Sequence, residues 1–143
     1  VADLRELLAA SDIVSLHCPL SDATRHLIDA DALAAMKPTA LLVNTTRGAV
    51  IDETALAAAL ESGVIAGAAL DAFETEPPEP DSTLLRLPNV LLSAHAGGNS
   101  EGALKRMAMA AIDNIESVLR GDRPDALVNP DVWDARGTND EKA

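Results

Sequence analysis

Arg47, Glu76 and His95 each stand one short loop beyond a strand-like run, at 40–44, 66–70 and 90–93 respectively. In an open α/β sheet, ligands bind in the crevice outside the carboxyl ends of the strands, so loops placed this way converge there. A guanidinium offers a planar, permanently charged fork that matches a carboxylate. An imidazole, with an ordinary pKa of about 6.5, gives and takes protons near neutral pH, and a carboxylate on its second ring nitrogen sets the tautomer. Together the three residue types make an anion clamp beside an acid/base pair. Singly, each has a plainer reading: a surface arginine, a structural histidine, a solvated glutamate.

The elements that must carry these loops alternate along the chain. Residues 3–10 place Leu4, Leu7 and Leu8 at helical spacing, and 12–17 (DIVSLH) reads as a short buried strand. Asp29 or Asp31 caps a helix running to Met36, which Pro38 stops before the apolar strand 40–44 (ALLVN). Asp52 is the N-cap of a helix over 53–62, Gly63 ends it, and 65–70 (IAGAAL) is the next strand. The proline-rich segment 74–82 (ETEPPEPDS) cannot join a central strand and is read as a surface loop. A strand at 89–93 and the pair Gly97 and Gly98 come next. A helix over 100–119 then carries Leu104, Met107, Ala111, Ile115 and Val118 on one stripe and closes at Gly121. Residues 122–143 read as an irregular, partly disordered tail. Strands separated by helices imply parallel crossovers and an α/β fold.

Composition narrows the function classes. The 143 residues suit about one domain. A net charge of -12, with one Trp, one Phe and no Tyr, argues against a nucleic-acid partner, which needs cationic and stacking surfaces. No apolar run approaches the roughly 18 residues of a bilayer span, and the single Cys18 makes no intrachain disulfide, so a cytoplasmic protein is expected. The chain opens on Val1 without a leader pattern and reads as the later part of a longer chain. The G-x-G-x-x-G dinucleotide fingerprint is absent from it. The expectation is therefore the second half of a doubly wound nucleotide-binding domain over 1–121, followed by the tail.

Four motifs in order carry a resemblance: LHCPLSDATRHLI at 16–28, VNTTRGAVID at 43–52, GAALDAFETEPP at 67–78 and SAHAGGNSEGA at 93–103. Over about residues 17–130 the chain resembles the D-isomer-specific 2-hydroxyacid dehydrogenases. The resemblance implies a partial Rossmann-type parallel sheet with a long C-terminal helix leading toward a substrate domain, in a homodimer. It implies hydride transfer between NAD or NADP and a small 2-oxo or D-2-hydroxy acid. By the same resemblance Arg47 binds the substrate carboxylate and carbonyl, His95 is the general acid, and Glu76 orients His95. Asp71 is then the residue that hydrogen-bonds the nicotinamide carboxamide. Cys18, Pro19, Thr24, Thr45, Thr46, Arg47, His95, Ala96, Gly97 and Gly98 lie along the cofactor. Asn99 and Ser100 stand where that family often has Ser-Thr.

A rival of another class shares the fold: the C-terminal binding proteins, NAD(H)-sensing corepressors, keep the Arg, Glu and His. Upstream sequence separates the two, since a scaffold needs a peptide cleft there. A folded, inactive remnant with an unpaired sheet edge is the third reading. The adjacent His17 and Cys18 point to opposite faces of a strand and lack further ligands at metal-site spacing, so no metal is expected. The residues that read the substrate side chain, and those that tell NAD from NADP, are expected outside this sequence. The reading therefore covers glyoxylate, hydroxypyruvate, phosphoglycerate and larger 2-oxo acids alike.

Overall fold

The computed structural model describes residues 3–136. In chain order its elements are α1 (Leu4–Ala10), β1 (Ile13–Leu16), α2 (Ala30–Ala35), β2 (Leu41–Asn44), α3 (Glu53–Glu61), β3 (Gly67–Leu70), β4 (Val90–Leu92), α4 (Glu101–Arg120) and α5 (Pro130–Arg136). Single 3-10 turns fill Gly48–Val50 and Thr83–Leu85. The four strands form one parallel sheet in the order β1-β2-β3-β4.

Register is what makes the sheet a platform. Leu16 pairs with Asn44, Asn44 with Leu70, and Leu70 with Leu92, so four strands reach the same level together. The loops beyond them start side by side.

One face of the sheet is packed. Val14, Leu16, Leu42 and Leu70 share a core with Leu8 of α1, Leu33 of α2, and Leu56 and Leu60 of α3. Leu42 and Leu56 are fully buried, each contributing about 2 kcal/mol of hydrophobic stabilisation. Alternation sends Ile13, Leu41 and Leu91 to the opposite face, where they are exposed. The small residues Gly67, Ala68 and Ala69 suit β3, which like β2 has a partner strand on each side: a Cβ on Gly67 would meet the Asn89 carbonyl oxygen at 2.8 Å.

Caps end the helices where the sequence signals them. Of the two expected candidates, Asp29 is the N-cap of α2, accepting from the Ala32 N–H at 2.8 Å. Asp52 caps α3 through the Ala55 N–H at 2.9 Å, and Ser100 caps α4 through the Ala103 N–H. Gly63 and Gly121, at φ 72° and 84°, take the left-handed conformation that closes α3 and α4.

The chain divides into two compact units, Val1–Gly97 and Gly98–Ala143. The division falls before α4, whereas the sequence groups that helix with the sheet. It follows the hydrogen bonds of Ala96 and Gly97, which run back to Asp71 in the first unit. In the second unit α4 has no buried residue.

One expectation is corrected. Residues 122–143 were expected to be irregular, yet Pro130–Arg136 is helical. Pro130 at the first helical position needs no amide hydrogen, and Asp131 favours the N-terminal dipole, so Asn-Pro starts a helix here rather than only a turn. The part of the expected tail beyond 136 lies outside the described residues. Among the described residues, no helix is long and apolar enough to cross a membrane.

Candidate active site

Asn44, at the end of β2, begins the site. It is completely buried although polar. Its Oδ1 accepts from the Thr46 N–H at 3.0 Å and from Thr46 Oγ1 at 2.8 Å, while its Nδ2 donates to the Arg47 carbonyl at 2.9 Å. One side chain therefore shapes the turn that lifts Arg47 out of the strand. Arg47 is exposed and donates one guanidinium hydrogen bond, to the Thr46 carbonyl at 2.8 Å.

Gly48 is required beside it. A Cβ there would lie 1.8 Å from the Phe73 carbonyl carbon and 2.2 Å from the Glu74 nitrogen. The loop after β3 thus runs directly across Gly48, which sets Phe73 to Glu76 next to Arg47.

Within that loop Glu76 Oε1 accepts from the Phe73 N–H at 3.0 Å. The same carboxylate meets His95 Nδ1, at 2.9 Å from Oε1 and 2.8 Å from Oε2. The Phe73 N–H first, and then the His95 ring, hold the Glu76 carboxyl below its ordinary range; Arg47 adds a smaller pull in the same direction. Glu76 is thus the charged partner, so Nδ1 carries the shared proton and Nε2 is the nitrogen left to exchange one. His95 itself takes φ 50°, an uncommon left-handed conformation for a residue with a Cβ. That sharp reversal follows β4 and lies beside the tether of the next two residues to Asp71.

Asp71, at 5% exposure, forms that tether. Its Oδ1 accepts from Ser93 Oγ at 2.6 Å and the Ala96 N–H at 2.8 Å, and its Oδ2 from the Gly97 N–H at 2.8 Å. The Ser93 hydroxyl first, then the two backbone donors, hold its carboxyl below the ordinary range. A Cβ on Gly97 would stand 2.9 Å from Asp71 Oδ2, so glycine lets this loop close on the carboxylate.

Arg47, Glu76 and His95 line one cavity of about 370 Å³, with Leu20, Gly48, Ala49, Phe73 and Glu74. Two larger hollows elsewhere lack such a combination: one lies along α3 and residues 81–84, the other on the open sheet face. Chemistry decides between them in favour of the smaller one. The remaining expected cofactor residues are not among those that line the cavity. Thr24 Oγ1 donates to the Pro19 carbonyl at 2.6 Å and accepts from the Ser21 N–H at 2.8 Å, which shapes the turn carrying Leu20. Cys18 packs against the core. Thr45 is exposed beside Thr46, and Gly98 begins the second unit. Asn44 and Gly48 are the functional residues that the sequence reading passed over. A polar residue ending an apolar strand, and a glycine directly after the arginine, were the available signals.

Known proteins share both sequence and fold with this chain. Residues 1–97 match the family model of the D-isomer specific 2-hydroxyacid dehydrogenase NAD binding domain. A glyoxylate reductase of Korarchaeum cryptofilum is 49% identical over 133 residues, which is 93% of this chain and 40% of that protein. The chain thus spans about 40% of the length of that curated relative. Among solved structures, the TT0316 protein from Thermus thermophilus superposes with a TM-score of 0.86 at 42% identity, covering 89% of this chain and 40% of that one. The NAD-complexed D-isomer specific 2-hydroxyacid dehydrogenase of Lactobacillus delbrueckii gives 0.82 at 34% identity, over 90% of this chain and 43% of that one.

Proposed function

Because this chain belongs to the D-isomer specific 2-hydroxyacid dehydrogenase family, we propose that it serves an NAD(P)-dependent oxidoreductase that interconverts small 2-oxo acids and D-2-hydroxy acids. The observation that carries the reading is the His95 Nδ1 contact with Glu76 at 2.8 Å in the same cavity as Arg47. The guanidinium takes the substrate carboxylate in a two-pronged grip and leans on the carbonyl oxygen, drawing electron density from the carbon under attack. As negative charge develops on that oxygen, His95 delivers a proton from Nε2; in the oxidation direction Nε2 removes it. Glu76 holds the ring in the competent tautomer and steadies the charged imidazolium.

A bound nicotinamide supplies the hydride. The residues present fit such a group. Asp71 has three of about four acceptor positions filled internally, which leaves one for a carboxamide N–H. On this reading Asp71 and the backbone of Ala96 and Gly97 hold the nicotinamide end. Thr45, Thr46 and the Cys18 to Thr24 turn line its approach.

The reading includes a homodimer, by likeness to the family. The deciding experiment follows NADH and NADPH absorbance with glyoxylate, hydroxypyruvate and pyruvate, using the chain within its full-length protein. Oxidation that depends on a 2-oxo acid is expected. Binding of NADH without turnover of any 2-oxo acid would overturn the proposal.

A further inference from the structure

A second histidine lies next to the site, and no role above uses it. His26 takes φ 50°, like His95, and its N–H donates to the Ala49 carbonyl at 2.9 Å. That bond, continued by Ile28 N–H to the Val50 carbonyl at 3.1 Å, lays the 26–28 segment along the turn that follows Arg47. His26 Nε2 then stands 3.0 Å from Glu74 Oε1, although buried from solvent and without the alignment of a full hydrogen bond.

Glu74 is also held by Glu53, the first residue of α3. The Glu74 N–H donates to Glu53 Oε1 at 2.6 Å, and the Glu53 N–H donates back to Glu74 Oε1 at 3.2 Å. Two acidic residues meet here because each carboxylate accepts the other's backbone amide. Burial, first, and then the charges of Glu74 and Glu76 push the Glu53 carboxyl up, while the Glu74 N–H opposes them.

Glu74 lies between Phe73, whose amide binds Glu76, and Glu76, whose carboxylate binds His95. We propose that His26 and Glu53 are positioning residues for the proton-transfer pair: by clamping the Glu74 carboxylate and backbone N–H they fix the loop that holds Glu76 against His95. The contact runs from α3 and the 26–28 segment to the general acid without touching substrate. The inference rests on the reading of His95 as general acid.

The test uses the full-length enzyme and 2-oxo acid reduction. His26→Asn removes the imidazole while keeping a residue type that tolerates the left-handed conformation, and Glu53→Ala removes the acceptor. Each is expected to lower kcat about tenfold, as a catalytic group displaced by a fraction of an ångström does, with KM for NADH and the thermal midpoint little changed. Glu53→Gln keeps an acceptor for the Glu74 N–H and is expected to restore most of kcat. Unchanged kcat in both His26→Asn and Glu53→Ala overturns the clamp. So does a fall in kcat that comes only with a matching loss of thermal midpoint and cofactor affinity, because that is the mark of a merely structural role. His95→Asn in parallel separates the two ideas: full turnover there means that the general-acid reading has failed. Lost turnover there, with normal clamp variants, means that the clamp alone has failed.

Discussion

Gly48 and Phe73 cross at backbone contact distance, with the position of a Gly48 Cβ only 1.8 Å from the Phe73 carbonyl carbon. The crossing joins the loop after β2 to the loop after β3, and so Arg47 to Glu76. Backbone cannot swing aside as a side chain can. Gly48→Ala is therefore expected to destabilise the fold by about 3 kcal/mol, or to displace the 73–76 loop and abolish turnover. Urea unfolding and activity together check this; an alanine variant with wild-type values in both would refute the crossing.

Asn44 makes the turn before that crossing. Asn44→Ala leaves the Thr46 N–H and the Arg47 carbonyl without their partner in a part-buried turn. A loss of about 2 kcal/mol is expected, together with a raised KM for the 2-oxo acid because Arg47 is no longer set. Equal KM in variant and wild type would confine Asn44 to a structural part.

Arg47 and His95 are expected to fail in different kinetic constants. Arg47→Lys keeps the charge and loses the fork, so KM for the 2-oxo acid rises, by about tenfold or more, while NADH binding holds. His95→Asn, which suits the φ of 50°, preserves folding and lowers kcat by about a hundredfold or more. Steady-state kinetics with each substrate varied in turn distinguish the two losses. The same constant moving in both variants would argue against separate roles.

Acid is expected to loosen the first unit. Asp71 and Glu76 are both held below the ordinary carboxylate range, Asp71 chiefly by Ser93 and Glu76 chiefly by the Phe73 N–H. The unfolded chain takes up these protons first as pH falls. The stabilisation from both residues is thus present above the ordinary range, around pH 4, and is lost as pH drops through their lower folded values. Glu53, raised by burial, works the other way and offsets part of the loss. Urea midpoints measured from about pH 6 down to about pH 3 are expected to fall, and to fall less steeply in Asp71→Asn. An identical slope in that variant would show that Asp71 does not contribute.

The sequence by itself determined the alternation of helices and strands, the caps at Asp52, Gly63 and Gly121, and the three loops that carry Arg47, Glu76 and His95. These follow from local rules: apolar periodicity, a side chain reaching its own backbone amide, a glycine at positive φ. Strand limits came out one or two residues shorter than the apolar runs, because pairing in the sheet, not apolarity, sets where a strand stops. Only the tertiary structure decided that Leu16, Asn44, Leu70 and Leu92 end in one row, that Gly48 lies under Phe73, and that Asp71 spends its carboxylate on Ser93, Ala96 and Gly97. It alone brought His26 to Glu74, 48 positions apart in the chain. Such contacts join residues whose separation bears no fixed relation to their distance in space; they depend on how the sheet sets neighbouring loops side by side, which no local pattern encodes.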